Sequence, residues 1–144
     1  METGDVRKRV IATMDKARRQ AAERRAAADR SAQAFERFLS TIAVPLVRQI
    51  AGALKADNYP FTVFTPTGSV RLMSDKSAED FIEIALDTIN QHDRVPRVTA
   101  HVSRARGRSV VEGEHVIGSG DPAAITEEEL LAFLLKELEP FVER

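Results

Sequence analysis

Apolar residues recur every three or four positions over the first third of the chain, and this spacing constrains the fold more than any other feature. From Val6 to Ala53 the repeats complete about thirteen turns, so their mean period is that of a straight α-helix, not the 3.5 residues of a regular supercoil. We predict one long helix that could pair as an irregular coiled coil. The repeating residues are Val6, Val10, Met14, Ala17, Ala21, Ala28, Ala32, Phe35, Leu39, Ile42, Leu46, Ile50 and Ala53.

Pro45 interrupts this pattern. Proline lacks a backbone donor and crowds the preceding turn, so we predict a kink or break near Ala43–Val44. The helix should end around residues 56–58, before Pro60.

The two halves of the helix differ in composition. Beyond residue 34 the apolar surface is wide, so this half should belong to a single α+β domain at 35–144. Residues 1–34 carry a narrow strip rich in alanine and should form a projecting basic arm. Small side chains allow another helix to approach closely, and the simplest partner is a second copy of the chain. The predicted self-association residues are Val10, Met14, Ala17, Ala21, Ala28 and Ala32.

Charge is divided unevenly along a chain whose net charge is only -1. Residues 1–30 hold nine basic and five acidic side chains, whereas residues 121–144 hold seven acidic and two basic ones. The arginines of the arm point in several directions, but together with the tip of a predicted hairpin they could contact phosphates. This second hypothesis, nucleic-acid binding, involves Arg18, Arg19, Arg24, Arg25, Arg104, Arg106 and Arg108.

Two hairpins are predicted in the middle of the chain. Residues 61–65 and 69–74 flank the turn sequence Pro66-Thr67-Gly68. For the second hairpin we place a two-residue turn at Arg106-Gly107, which sets Val102 opposite Val111 and His101 opposite Glu112. Thr99, His101 and Ser103 then lie on a solvent-exposed face.

Residues 78–91 fit a helix capped by Ser77 as well as a strand, and the number of matching positions does not separate the two. We choose the strand because it completes an antiparallel meander. Thr126-Glu127-Glu128-Glu129 is a capping box that begins a leucine-rich helix, which we expect to pack on the sheet and to end at Pro140. The predicted fold is therefore α+β: a long helix, about five strands and a C-terminal amphipathic helix.

The sequence contains no recognisable catalytic motif. There is no cysteine, and the three histidines lack the close spacing typical of metal ligands; His92 should lie in a loop. His101 and Glu112 could form an acid–base pair, but a cross-strand surface pair is the simpler interpretation. We expect no cofactor, no metal and no enzymatic activity.

These observations favour an assembly protein of cytoplasmic location. No secretory leader and no apolar run of membrane length is expected from the sequence, and so no membrane partner. The first hypothesis is a homo-oligomer, most simply a dimer, joined through the N-terminal helix and acting as an adaptor, small chaperone or complex subunit. A protein partner of another kind and nucleic acid are the alternatives.

Overall fold

The computed structural model describes residues 1–91 and 93–143, so the predicted loop position of His92 lies outside the described residues. The described part has the α+β fold that the sequence predicts, with a long N-terminal helix, five antiparallel strands in one sheet and a C-terminal helix. By its internal contacts the chain divides into two compact units, Met1–Arg30 and Ser31–Arg144.

The N-terminal helical segment changes its hydrogen-bonding pattern just before Pro45. Helix α1 covers Thr3–Phe38, a π-helical stretch covers Leu39–Ala43, and helix α2 covers Val44–Ala56. The backbone N–H of Val44 donates to the carbonyl oxygen of Leu39, five residues back. A π-helical stretch widens the turn next to a proline that cannot donate to the residue four positions earlier. The disturbance predicted near Ala43–Val44 therefore takes the form of a local π-helix between two α-helices.

Helix α2 ends where the sequence predicts, and backbone hydrogen bonds close it. Asn58 has a positive φ of 68°, a conformation that asparagine tolerates better than most residues. The N–H of Tyr59 donates to the carbonyl of Leu54 at 2.8 Å, and the N–H of Asn58 donates to that of Lys55 at 3.1 Å. This is the Schellman arrangement of a helix C-terminus.

The five strands follow one another in sequence order across the sheet, as a meander does. Each strand pairs antiparallel with the next one along the chain. The strands are β1 (Phe61–Phe64), β2 (Ser69–Ser74), β3 (Phe81–Asp87), β4 (Arg97–Arg106) and β5 (Ser109–Val116).

The ambiguous segment is a strand, and its neighbours explain why. Ile82 and Ile84 alternate into the core with 2% and 1% of their surface exposed. Asp80, just before β3, is buried, and its carboxylate accepts the N–H of Ala105 on β4 at 2.7 Å. The helical alternative for residues 78–91 would separate Asp80 from this partner, which lies 25 positions away.

The turn of the second hairpin lies one residue later than the sequence predicts, so the predicted strand register is wrong by two residues. The turn lies at Gly107-Arg108, Arg106 pairs with Ser109, and His101 stands opposite Glu114 rather than Glu112. Gly107 has a φ of 61°, and glycine at the first central position suits a type II′ hairpin turn. Because the partners shift by two residues, every side chain stays on the face that the sequence predicts.

Helices α1 and α2, the π-helical stretch and the C-terminal helix α3 (Glu127–Glu143) contribute to a core shared with one face of the sheet. The opposite face is less exposed than the sequence predicts, since Ser103 is 1% and Thr99 6% exposed. Ser103 lies between Phe81 on β3 and Glu112 on β5, whose larger side chains flank it on both sides. The buried apolar residues are Phe35, Phe38, Ala43, Leu46, Val47, Ile50, Ala51, Phe61, Val70, Leu72, Ile82, Ile84, Val98, Ala100, Ile117, Ile125, Leu130, Leu134, Leu138 and Phe141.

Helix α3 begins with the predicted capping box but does not end at Pro140. The N–H of Glu129 donates to Oγ1 of Thr126 at 3.1 Å, and the N–H of Thr126 donates to Oε1 of Glu129 at 3.4 Å. The helix continues through Pro140 to Glu143. Phe141 is buried and meets Phe61 edge to face at 6.0 Å, so packing holds the last turn in place despite the missing donor.

Candidate self-association surface

The N-terminal half of α1 exposes a strip of large apolar side chains. Val6, Val10, Ile11 and Met14 are 43%, 51%, 48% and 45% exposed. Successive residues of an α-helix are about 100° apart, so Val6, Val10 and Met14 share one face and Ile11 lies at its edge. Ile11 is absent from the residues that the sequence predicts, because it lies outside the row of three- and four-residue steps.

The strip continues toward the C-terminal end of α1 through small residues. Ala17, Ala28 and Ala32 are exposed and Ala21 is half-buried. Four of the six predicted self-association residues are therefore alanines, which allow close approach of another helix but offer little apolar area themselves. We call the face formed by Val6, Val10, Ile11, Met14, Ala17, Ala21, Ala28 and Ala32 the α1 strip.

Helix α1 does not depend on burial of its first thirty residues. Its only buried residues are Phe35 and Phe38. Alanine and arginine are strong helix formers, so the composition of this segment supports the helix locally. Within Met1–Arg30, the helix therefore does not depend on burial of the apolar side chains of the α1 strip.

The arginines predicted for nucleic-acid contact are divided between the two units, four in Met1–Arg30 and three in Ser31–Arg144. Arg18 has a loose pairing with Asp15 at 3.8 Å, and both side chains are more than half exposed. Arg106 and Arg108 are exposed at the hairpin turn, whereas Arg104 is half-buried and lines a cavity with Glu137 and other residues. Arg19, Arg24 and Arg25 are exposed on α1, and Arg24 and Arg25 flank the α1 strip where its apolar repeat is missing.

An apolar groove of about 490 Å³ opens within the second unit, beside the end of the α1 strip. One wall is helical and begins at Ala32, the last residue of the strip; the other is the turn between β1 and β2. The groove needs the β1–β2 turn to fold back beside the helix, so the sequence alone gives no sign of it. Its lining residues are Ala32, Phe35, Glu36, Leu39, Ser40, Val44, Thr65, Pro66, Thr67, Gly68, Ser69 and Leu86.

His101 lies in a stack of side chains on the face of the sheet away from the helices. Its ring stacks on Phe81 at 5.6 Å between centroids, and the guanidinium of Arg71 lies 4.1 Å above the Phe81 ring. The two ring nitrogens of His101 lie 3.4 Å from Glu112 and 3.3 Å from Glu114. The predicted contact between His101 and Glu112 exists, but as one part of a cross-strand network.

A second cavity, of about 240 Å³, lies between α3 and the β4–β5 hairpin. Arg104, His115 and Glu137 line it together with apolar residues that include Val102 and Phe141. Within residues 1–91 and 93–143, no cluster of three or more histidine and acidic side chains could hold a metal ion.

The helical segment Thr3–Ala56 is long and apolar enough to cross a membrane, judged by length and composition alone. The sequence expectation that no such segment exists is therefore not met. A core helix of a soluble protein can have the same length and composition, and 33% of the most apolar stretch of this segment is buried.

Comparison with protein-family models, with curated proteins and with solved structures finds no match to this chain.

Proposed function

We propose that this chain is a non-enzymatic assembly protein that associates with a second copy of itself through the α1 strip. The observation that carries the proposal is the exposure of Val6, Val10, Ile11 and Met14 on adjacent parts of one helix. Contiguous apolar surface of this kind marks interaction sites on soluble proteins. A helix whose apolar face lacks a partner gains stability from a second helix, and symmetric self-pairing supplies one.

The proposal is tested by the molecular mass of the full chain in solution, measured by sedimentation equilibrium over a wide concentration range. A dimer of the 15.9 kDa chain is expected at high concentration. A monomer at every concentration would contradict the proposal.

A pair of matched variants locates the interface. Ala28→Glu places a carboxylate in the α1 strip, whereas Ala26→Glu places the same side chain about 160° around the helix, on the opposite face. Both alanines are exposed, so neither change disturbs a core. Ala28→Glu is expected to weaken dimerisation at least tenfold, because burying one charge in an apolar contact costs more than ~1.4 kcal/mol. Ala26→Glu should leave dimerisation unchanged, and equal effects would place the interface elsewhere.

A further inference from the structure

Side-chain size is distributed unequally along the α1 strip. Its N-terminal part has Val6, Val10 and Met14, and its C-terminal part is alanine. Two parallel copies would place valine against valine at one end and alanine against alanine at the other. The helices could then not keep the even separation of about 8–10 Å that good packing requires.

Antiparallel copies instead pair large residues with small ones. Val6 then faces Ala32 of the second copy, Val10 faces Ala28, and Ala17 faces Ala21. At the level where the apolar repeat is interrupted, Met14 faces Arg24, whose long aliphatic stem can pack on it while its charge reaches water. Every residue of the predicted row between Val6 and Ala32 has a partner in this register.

The charge of α1 favours the same orientation. Arg24 and Arg25 flank the α1 strip. A parallel pair would bring Arg24 near Arg24 and Arg25 near Arg25. The antiparallel register instead places Arg24 beside Met14 and Arg25 beside Thr13 of the second copy, so these like charges are separated along the helix axis. Helix separations of about 8–10 Å are comparable to the Debye length at physiological salt, so this difference is not fully screened.

The groove adds buried surface area to an interface that would be too small if it consisted of the two helices alone. A strip from residue 6 to residue 32 is about 40 Å long and about 10 Å wide, or about 800 Å² for two copies. Stable interfaces bury at least about 1,200 Å². In the antiparallel register the N-terminal turn before Val6 reaches Phe35 and Glu36, which line the groove beyond Ala32. Each dimer would use two such grooves.

We infer that the chain forms an antiparallel dimer in which residues 1–14 of one copy lie along Ala28–Phe35 and in the groove of the other. This inference rests on the proposed self-association and specifies its partner segment. The occupant of the groove is therefore the N-terminal turn of a second copy.

Single-cysteine variants can test the orientation directly, because the chain has no cysteine. Val10→Cys and Ala28→Cys are small changes at exposed positions, and each is first shown to be dimeric by sedimentation. A short bismaleimide is added to each variant alone and to their mixture. In an antiparallel dimer the two Val10 positions are about 27 Å apart, beyond its reach, whereas Val10 and Ala28 are adjacent.

The expected result is a cross-linked dimer from the mixture and none from Val10→Cys alone, with tryptic peptides 10–16 and 26–30 joined in mass spectra. Cross-linking of Val10→Cys to itself in a confirmed dimer would overturn the antiparallel arrangement while leaving self-association intact. A confirmed dimer that gives neither product would also overturn it. A monomeric chain would instead contradict the proposed function on which the inference rests.

A second pair of variants tests the groove. Thr3→Cys lies in the N-terminal turn and Thr67→Cys lies in the β1–β2 turn, and both positions are exposed. Their mixture should cross-link to a dimer, whereas a mixture of Thr3→Cys with Ala123→Cys, an exposed position outside the groove, should not. Failure of the Thr3–Thr67 product, or equal yields from the two mixtures, would overturn the assignment of the groove.

Discussion

Truncation of Met14 offers a quantitative test of the α1 strip. Met14 is 45% exposed, and Met14→Ala removes three heavy atoms beyond Cβ from each copy. At about 0.8 kcal/mol per buried methylene-sized group, with roughly half of the side chain available to a partner, two copies lose about 2 kcal/mol. This loss corresponds to a dimerisation constant that is roughly 30-fold weaker.

The assay is sedimentation velocity over a dilution series, with circular dichroism as a check on the helix. Alanine is at least as good a helix former as methionine, so weaker association cannot be attributed to loss of helix propensity. Lys8→Ala truncates a long side chain on the opposite face of α1, and it should change the dimerisation constant by less than about twofold. Equal dimerisation constants for Met14→Ala and the unmodified chain would refute the assignment of the α1 strip as the interface.

Three further predictions concern stability. Leu134 is fully buried in α3, so Leu134→Ala should lower the free energy of unfolding by about 2–5 kcal/mol, measured as a lower urea midpoint. Asp80→Ala removes the buried carboxylate that accepts the Ala105 N–H at 2.7 Å, so the free energy of unfolding should fall by about 1–3 kcal/mol, with faster amide exchange at Ala105. The pKa of Asp87 is lowered because backbone N–H groups of Asn90 and Ile89 donate to its carboxylate. This carboxylate therefore stabilises the fold at neutral pH, and the contribution is lost as the pH falls below about 3.9. In urea titrations, the difference in free energy of unfolding between Asp87→Asn and the unmodified chain should be larger at pH 7 than at about pH 3.

Local sequence patterns determine much of this fold. The capping box at Thr126 and Glu129 marks the start of α3 because its hydrogen bonds join residues three positions apart. The end of helix α2 is defined in the same way, because the N–H of Tyr59 donates to the carbonyl oxygen of Leu54, five positions earlier. In each case the residues that decide the structure are close together in the chain.

Contacts between distant residues account for the errors. Pro140 stays helical because Phe141 packs against Phe61, about eighty positions earlier. The burial of Ser103 depends on its position between two larger side chains of neighbouring strands, which only the true register reveals. The groove beside Ala32 has the same origin, since its second wall comes from the β1–β2 turn. Periodicity therefore predicts the α1 strip but not the groove beside its end.

The composition of the first thirty residues is itself an argument for a partner. An isolated helix would be at least as stable, and more soluble, with lysine or glutamate in place of Val6, Val10 and Ile11. None of these side chains is buried in the described structure, so no packing within the chain requires them to be apolar. Solvation alone would favour charge around the whole helix, whereas an interhelical contact requires an apolar face with charge on either side. The α1 strip has the second pattern. Its change from valine and methionine to alanine along the helix favours the antiparallel orientation of the proposed pair, in which large side chains face small ones.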